Sequence, residues 1–161
     1  MLNNFVELKK GEFKTIEPLL LKSGLLGEEF TDNISNSFSK LKHNFNRNKL
    51  KVFVGYQKET IISFCIIVLH KNLYDHTAYD WHIAYFYTDI LFRRQGLGYK
   101  MLTHVYNFLT KTKAGNLSLY TTEDNLPAIA LYIKFGFKES NFLGNYNCYS
   151  MCLNDYSLVR R

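Results

Sequence analysis

A chain of 161 residues with 47% hydrophobic and 21% charged residues can bury a core of single-domain size, and it is too apolar to be intrinsically disordered. Its formal net charge of +6 attracts polyanions of any kind. Lys and Arg are spread along the chain, with Arg93-Arg94 the densest cluster, so charge alone selects neither nucleic acid nor a phosphorylated small molecule as partner.

In chain order, Asn3–Leu8 reads as a first strand, and Phe13–Lys22 and Ile34–Phe45 as helices, the second from Ile34, Phe38, Leu41 and Phe45 on one face. Leu50–Tyr56 reads as a strand, Gln57-Lys58-Glu59 as a turn, and Ile61–Leu69 as a strand buried on both faces. A polar loop over His70–Thr77 leads to the β-prone run Tyr79–Ile90. Leu97, Met101, Val105 and Phe108-Leu109 then set a helical period over Gly96–Lys113. Leu117–Thr121 is a short strand. Leu126–Phe135 is a helix that Asn125 can cap, with Pro127 in its first turn and Gly136 at its left-handed end. Phe137–Phe142 and Tyr146–Leu153 close the chain as an antiparallel pair. This order implies an α/β (α+β) fold, a mixed sheet with helices on its faces, in one domain over residues 1–161.

The three cysteines, Cys65, Cys148 and Cys152, lack metal-ligand or disulfide spacing and point to reduced thiols in a cytoplasmic protein without a metal site. The N-terminus shows no signal-peptide pattern. The longest apolar run, Ile61–Leu69, is far short of the ~20 residues that span a bilayer, so no membrane partner is expected.

The chemistry concentrates at Arg93-Arg94-Gln95-Gly96-Leu97-Gly98, between a strand and the longest helix. Glycines at such a turn let backbone N–H groups at a helix N-terminus approach phosphate oxygens, and the arginines add positive charge. A dinucleotide fingerprint fails, because counting from Gly96 places Met101 where its third glycine would stand, and no P-loop Gly-Lys-Ser/Thr is present.

The turn Arg93-x-x-Gly96-x-Gly98 after an aromatic strand resembles the acetyl-CoA signature of the GNAT superfamily of N-acetyltransferases. Asn125-Leu126-Pro127-Ala128 through Leu131-Tyr132 to Gly136-Phe137 resembles that family's second motif, in the right order and register. The resemblance covers roughly Tyr79 to Leu153. One departure is Asp89-Ile90, where the family often has an acidic residue followed by Pro.

The resemblance implies a mostly antiparallel sheet of six to seven strands, splayed at the cofactor site and flanked by about four helices. It further implies transfer of an acetyl group from acetyl-CoA to a primary amine by direct attack. Phe86, Tyr87 and Thr88 then match the strand beside the pantetheine arm, with backbone N–H near Tyr87–Thr88 as oxyanion donors. Arg93, Arg94, Gln95, Gly96, Leu97 and Gly98 match the pyrophosphate turn, with Tyr99 beginning the helix. Asn125 and Ala128 match positions near the pantetheine. Tyr132 matches the residue beside the thiol sulfur and is the candidate acid, a phenol with reference pKa of about 10. His82 stands where several family members carry a carboxylate base; Asp80, Asp89 and a water chain are the alternatives. A rim of Glu28, Glu29 and Asp32, the Phe30–Asn33 loop, Tyr146 and Tyr149 suits a cationic amine. Small amine, peptide N-terminus, lysine side chain and aminoglycoside acceptors all stay open, as does a homodimer. Two other readings are a non-catalytic acyl-CoA sensor and a basic nucleic-acid-binding module; no helix-turn-helix or RNP-like motif supports the latter.

Overall fold

The structure, a computed structural model, describes residues 4–26, 34–71, 79–143 and 146–153. Among these residues seven strands, β1 (Asn4–Glu7), β2 (Leu50–Gln57), β3 (Thr60–Lys71), β4 (Tyr79–Thr88), β5 (Ala114–Thr122), β6 (Lys138–Leu143) and β7 (Tyr146–Cys152), form one sheet in the order β1-β2-β3-β4-β5-β7-β6. Four α-helices intervene: α1 (Glu17–Ser23), α2 (Ile34–Asn46), α3 (Leu97–Leu109) and α4 (Leu126–Phe135). The β1–β2, β2–β3, β5–β7 and β6–β7 pairs are antiparallel, and β4–β5 is parallel. Parallel neighbours cannot be joined by a tight turn, and the segment carrying α3 supplies the crossover. The pairing of β4 with β5 runs from Tyr79 to Ile83 and stops well short of Thr88. The element order and the mixed, mostly antiparallel sheet are those the sequence implies.

By its contacts the chain divides into two compact units. One comprises Met1–Val68 and Tyr85–Met101, the other Leu69–Ala84 and Leu102–Arg161.

In the first unit, β3 is buried on both faces from Ile62 to Ile67, as an unbroken apolar run requires. Val52, Val54, Phe64 and Ile66 pack with Phe13, Ile16, Leu20 and Phe45. Phe13 is 1% exposed, and its ring lies 5.2 Å from both Phe38 and Phe45, which joins α2 to the segment before α1. The expected helix over Phe13–Lys22 is two pieces. Phe13–Ile16 is a 3-10 turn, and the α-helix begins at Glu17, where Pro18 suits a first turn with no N–H to satisfy.

In the second unit, α4 spans the residues expected of it. Asn125 precedes it without a side-chain capping bond; its carbonyl instead accepts from Ile129 N–H at 3.0 Å. The other end closes on Gly136, left-handed at φ 120°. There the Tyr132 carbonyl accepts from Phe137 N–H at 3.0 Å and from Gly136 N–H at 3.1 Å, the latter also reaching the Ile133 carbonyl at 3.1 Å, while the Tyr132 and Phe137 rings meet edge-on with centroids 5.7 Å apart. This is the hydrogen-bond and apolar pairing of a Schellman end.

Candidate active site

In the first unit, β4 ends where Asp89 takes over the backbone. Its N–H still donates to Ile62 C=O at 2.8 Å, but its carboxylate accepts from Leu91 N–H at 3.1 Å. A side chain that bonds the backbone two residues on offers the chain a turn in place of a ladder. Ile90–Phe92 is accordingly a 3-10 turn, not the end of a strand through Ile90. The other carboxylate oxygen of Asp89 accepts from Lys22 Nζ at 2.7 Å. The Lys22 and Leu91 donors hold the Asp89 carboxyl below the usual range, and the same bond raises Lys22. Asp89 is buried, both of its oxygens are engaged and its affinity for a proton is lowered.

The segment that follows turns sharply. Arg94 (φ 61°) and Gly96 (φ 75°) are both left-handed, with Gln95 between them. Only Gly takes that conformation without steric cost. A Cβ built on Gly96 meets no atom within 4 Å, so the space in front of its backbone is open. At the start of α3, where a helix turns its first N–H groups outward, Lys100 N–H donates to Gly96 C=O at 3.1 Å. Arg93 Nε donates to Thr88 C=O at 2.9 Å, and its guanidinium lies 5.3 Å from the centre of the Tyr87 ring. Tyr87 in turn packs on Phe64, centroids 5.8 Å apart. Phe86, Tyr87 and Thr88 are half-buried, Arg93 through Gly96 exposed, Leu97 buried, and Tyr99 exposed at the start of α3. Ile90 and Leu91, 66% and 74% exposed, place apolar side chains beside this basic turn. Donors, left-handed backbone, positive charge and apolar flank together suit an organic molecule that carries a diphosphate. A separate cavity of about 400 Å³, lined among others by Lys9, Lys10, Phe45 and Lys51, lies at the Leu50 end of β2, whereas Asp89 bonds to β3 near the opposite end.

In the second unit, His82 is half-buried on β4. Its Nδ1 lies 2.9 Å from Ser118 Oγ on β5, its ring centroid 4.5 Å from that of Tyr120 and 5.4 Å from that of His70 at the end of β3. Burial, with a smaller contribution from His70, pushes His82 down to about 4. It is therefore a neutral imidazole at pH 7, able to accept a proton but unable to keep it. Asp80 is differently engaged: its carboxylate accepts from Asn116 N–H at 3.0 Å and from Asn116 Nδ2 at 3.4 Å, fixing the start of the β4–β5 pair. Tyr132 is buried on α4 between Phe137 and Tyr149, with ring centroids 5.7 Å and 6.4 Å away. Asn125 is exposed and Ala128 half-buried on the same helix segment.

Glu28, Glu29, Asp32 and the Phe30–Asn33 loop lie outside the described residues, as does most of the expected His70–Thr77 loop. Of Tyr146 only its backbone place in β7 is described. Cys65, Cys148 and Cys152 are free thiols, and burial pushes the Cys65 thiol up. The described residues include no cluster of metal-ligating side chains and no helix long and apolar enough to cross a membrane. Lys22, His70 and Ser118 are partners that the sequence alone did not single out. Each is distant in sequence from the residue it meets.

The family described as Acetyltransferase (GNAT) family matches residues 21–137. No curated protein matches the chain. Among solved structures, the fold is similar to that of Arabidopsis thaliana NAA60 in complex with a bisubstrate analogue, with TM-score 0.73 and 12% identity over 94% of this chain and 98% of that one. The PaiA N-acetyltransferase from Thermoplasma acidophilum in complex with coenzyme A gives 0.69 and 14%, covering 94% and 99%. An aminoglycoside acetyltransferase from an uncultured soil metagenomic sample, in complex with trehalose, gives 0.74 and 17%, covering 88% and 92%.

Proposed function

The chain belongs to the GNAT acetyltransferase family, and on that premise we propose that it moves an acetyl group from acetyl-CoA to a primary amine, as one catalytic domain over residues 1–161. The family match runs through both compact units, which supports the single-domain reading. The observation that carries the cofactor assignment is the turn from Arg93 to Gly98. Two left-handed residues and the open space at Gly96 leave room for a diphosphate at the start of α3, with Arg93 held by Thr88 and Tyr87 beside it.

Acetyl-CoA supplies an acyl thioester whose carbonyl carbon is open to a neutral amine. The chain's own residues then have three tasks. His82, uncharged at neutral pH, accepts the proton that the substrate ammonium must lose, because a protonated amine has no lone pair for attack. Backbone N–H groups of the β4 segment near Tyr87–Thr88 stabilise the developing oxyanion. The Tyr132 phenol gives its proton to the departing thiolate, and the second proton that the nitrogen loses as the tetrahedral intermediate collapses restores the phenol, so the net proton released is the one taken up at His82. Asn125 and Ala128 border the pantetheine arm, as the motif positions they share with the family imply. The acceptor is an amine small or extended; a cytoplasmic setting and a second copy of the chain as partner are compatible with this reading and not required by it.

The test has two arms. Native mass spectrometry of the purified full chain is expected to find retained coenzyme A or uptake of added coenzyme A. Thiol release from acetyl-CoA is then followed with spermidine, an alanine-terminated peptide, a lysine-containing peptide and kanamycin. At least one amine is expected to accelerate it, and Tyr132→Phe to lower kcat by roughly 10²–10⁴ while coenzyme A still binds. Binding without turnover of any amine would favour an acyl-CoA sensor, and no binding at all would overturn the assignment.

A further inference from the structure

Resting on the reading of His82 as base, we propose that Ser118 and His70 complete a proton exit for it: Ser118 orients the imidazole, and His70 carries the proton to water. Three observations carry this. The first is the contact of His82 Nδ1 with Ser118 Oγ at 2.9 Å, which joins residues paired across β4 and β5 in the parallel register. A base needs one ring nitrogen with a free lone pair. In the proposed tautomer Nδ1–H donates to Ser118 Oγ and that lone pair is on Nε2.

The second observation is the His70 ring, 5.4 Å from that of His82 centre to centre. At that separation one water can bridge the two rings. The third is a difference in exposure. His82 is half-buried, whereas His70, on the last part of β3, is exposed to solvent.

Among the described residues, these groups face His82. On β5 they are Ser118 and the Tyr120 ring, 4.5 Å away; on β3, His70; on its own strand, Asp80, whose carboxylate is occupied by Asn116. Cys148 of β7 lies across from Tyr120 in the ladder. The proton balance is simple. The ammonium N–H bond breaks as the His82 Nε2–H bond forms. That bond breaks as a His70 ring N–H forms, and His70 releases the proton to water, leaving both imidazoles neutral for the next cycle. A buried imidazole that binds protons weakly serves as a transit point, because proton release to a neighbour restores its preferred uncharged form.

The experiment uses the full chain and acetyl-CoA with spermidine, the two peptides and kanamycin. His70→Gln is an exposed substitution and leaves the fold intact. It is expected to lower kcat roughly tenfold or more, part of what general acid–base catalysis contributes, with KM for acetyl-CoA unchanged, and added free imidazole is expected to restore the rate. Ser118→Ala is read by nitrogen-15 NMR of the histidine rings. The wild type is expected to show His82 protonated at Nδ1, and the variant to lose that preference. A wild type active on an amine while His70→Gln is equally active, or is slow and not rescued by imidazole, overturns the exit route, as does a wild-type His82 protonated at Nε2. A wild type inactive on every amine overturns the acetyltransferase reading itself, and the exit route with it.

Discussion

Replacing Gly96 by alanine separates the cost of a strained backbone from the cost of a blocked ligand. Gly96 sits at φ 75°, where an L side chain costs about 1–2 kcal/mol, while a Cβ there meets no atom within 4 Å. The folded chain therefore bears strain but no clash, and stability is expected to fall by about 1–2 kcal/mol. Gly24 provides a matched control: φ 72°, again with nothing within 4 Å of a Cβ, but at the end of α1. Gly24→Ala is expected to lose a similar amount. The two variants should part when coenzyme A is added. If the diphosphate occupies the open space at Gly96, the new methyl stands in its way, and Kd is expected to rise at least tenfold, about 1.4 kcal/mol, for Gly96→Ala and not for Gly24→Ala. Pantetheine, which lacks the diphosphate, should bind both variants as it binds the wild type. Urea melts and isothermal titration measure the two effects. Equal coenzyme A affinity in both variants, or an equal loss for pantetheine and coenzyme A, would refute the placement of the diphosphate.

Arg93→Met removes the bond to Thr88 C=O and the cation over Tyr87 from an exposed side chain. Stability is expected to change by no more than about 1 kcal/mol, while KM for acetyl-CoA rises and its dependence on salt weakens; initial rates at two ionic strengths check both. Asp89→Asn probes pH. Because Lys22 and Leu91 lower the folded carboxyl, its stabilising contribution is full above the unfolded value of about 3.9 and drains as pH falls through the lower folded one. Lys22 is raised, so its part is present below its ordinary value of about 10.5 and is lost as pH rises through the folded one. Urea midpoints across pH are expected to show wild type and Asp89→Asn converging at both extremes and furthest apart near neutrality.

Local signals in the sequence located the pieces well. Pro127 and Gly136 bracket α4, and the apolar run of β3 reads directly as a strand buried on both faces. Legibility failed where one side chain redirected the backbone. The β-prone run through Ile90 masks the Asp89 contact with Leu91 that ends β4, and Pro18, a first-turn residue, marked a helix start that Phe13 and Ile16 obscured. Tertiary partners were further out of reach. Lys22 and Asp89 are 67 positions apart, and His82 and Ser118 are 36 apart; only the fold and its strand register bring them together. Asp89 looked like a free carboxylate for that reason, and the surroundings of His82 could not be named from the strand that carries it.

The end of α4 bears on what ligand binding would cost. The main-chain oxygen of Tyr132 is held by two donors and its ring is wedged among aromatic neighbours, so this residue has already surrendered its torsional freedom when the chain folds. Little entropy is left for an arriving molecule to remove at this position. By closing α4 with a left-handed φ of 120°, Gly136 thereby holds the backbone that carries this ring, while Leu126 and Ile133 face outward.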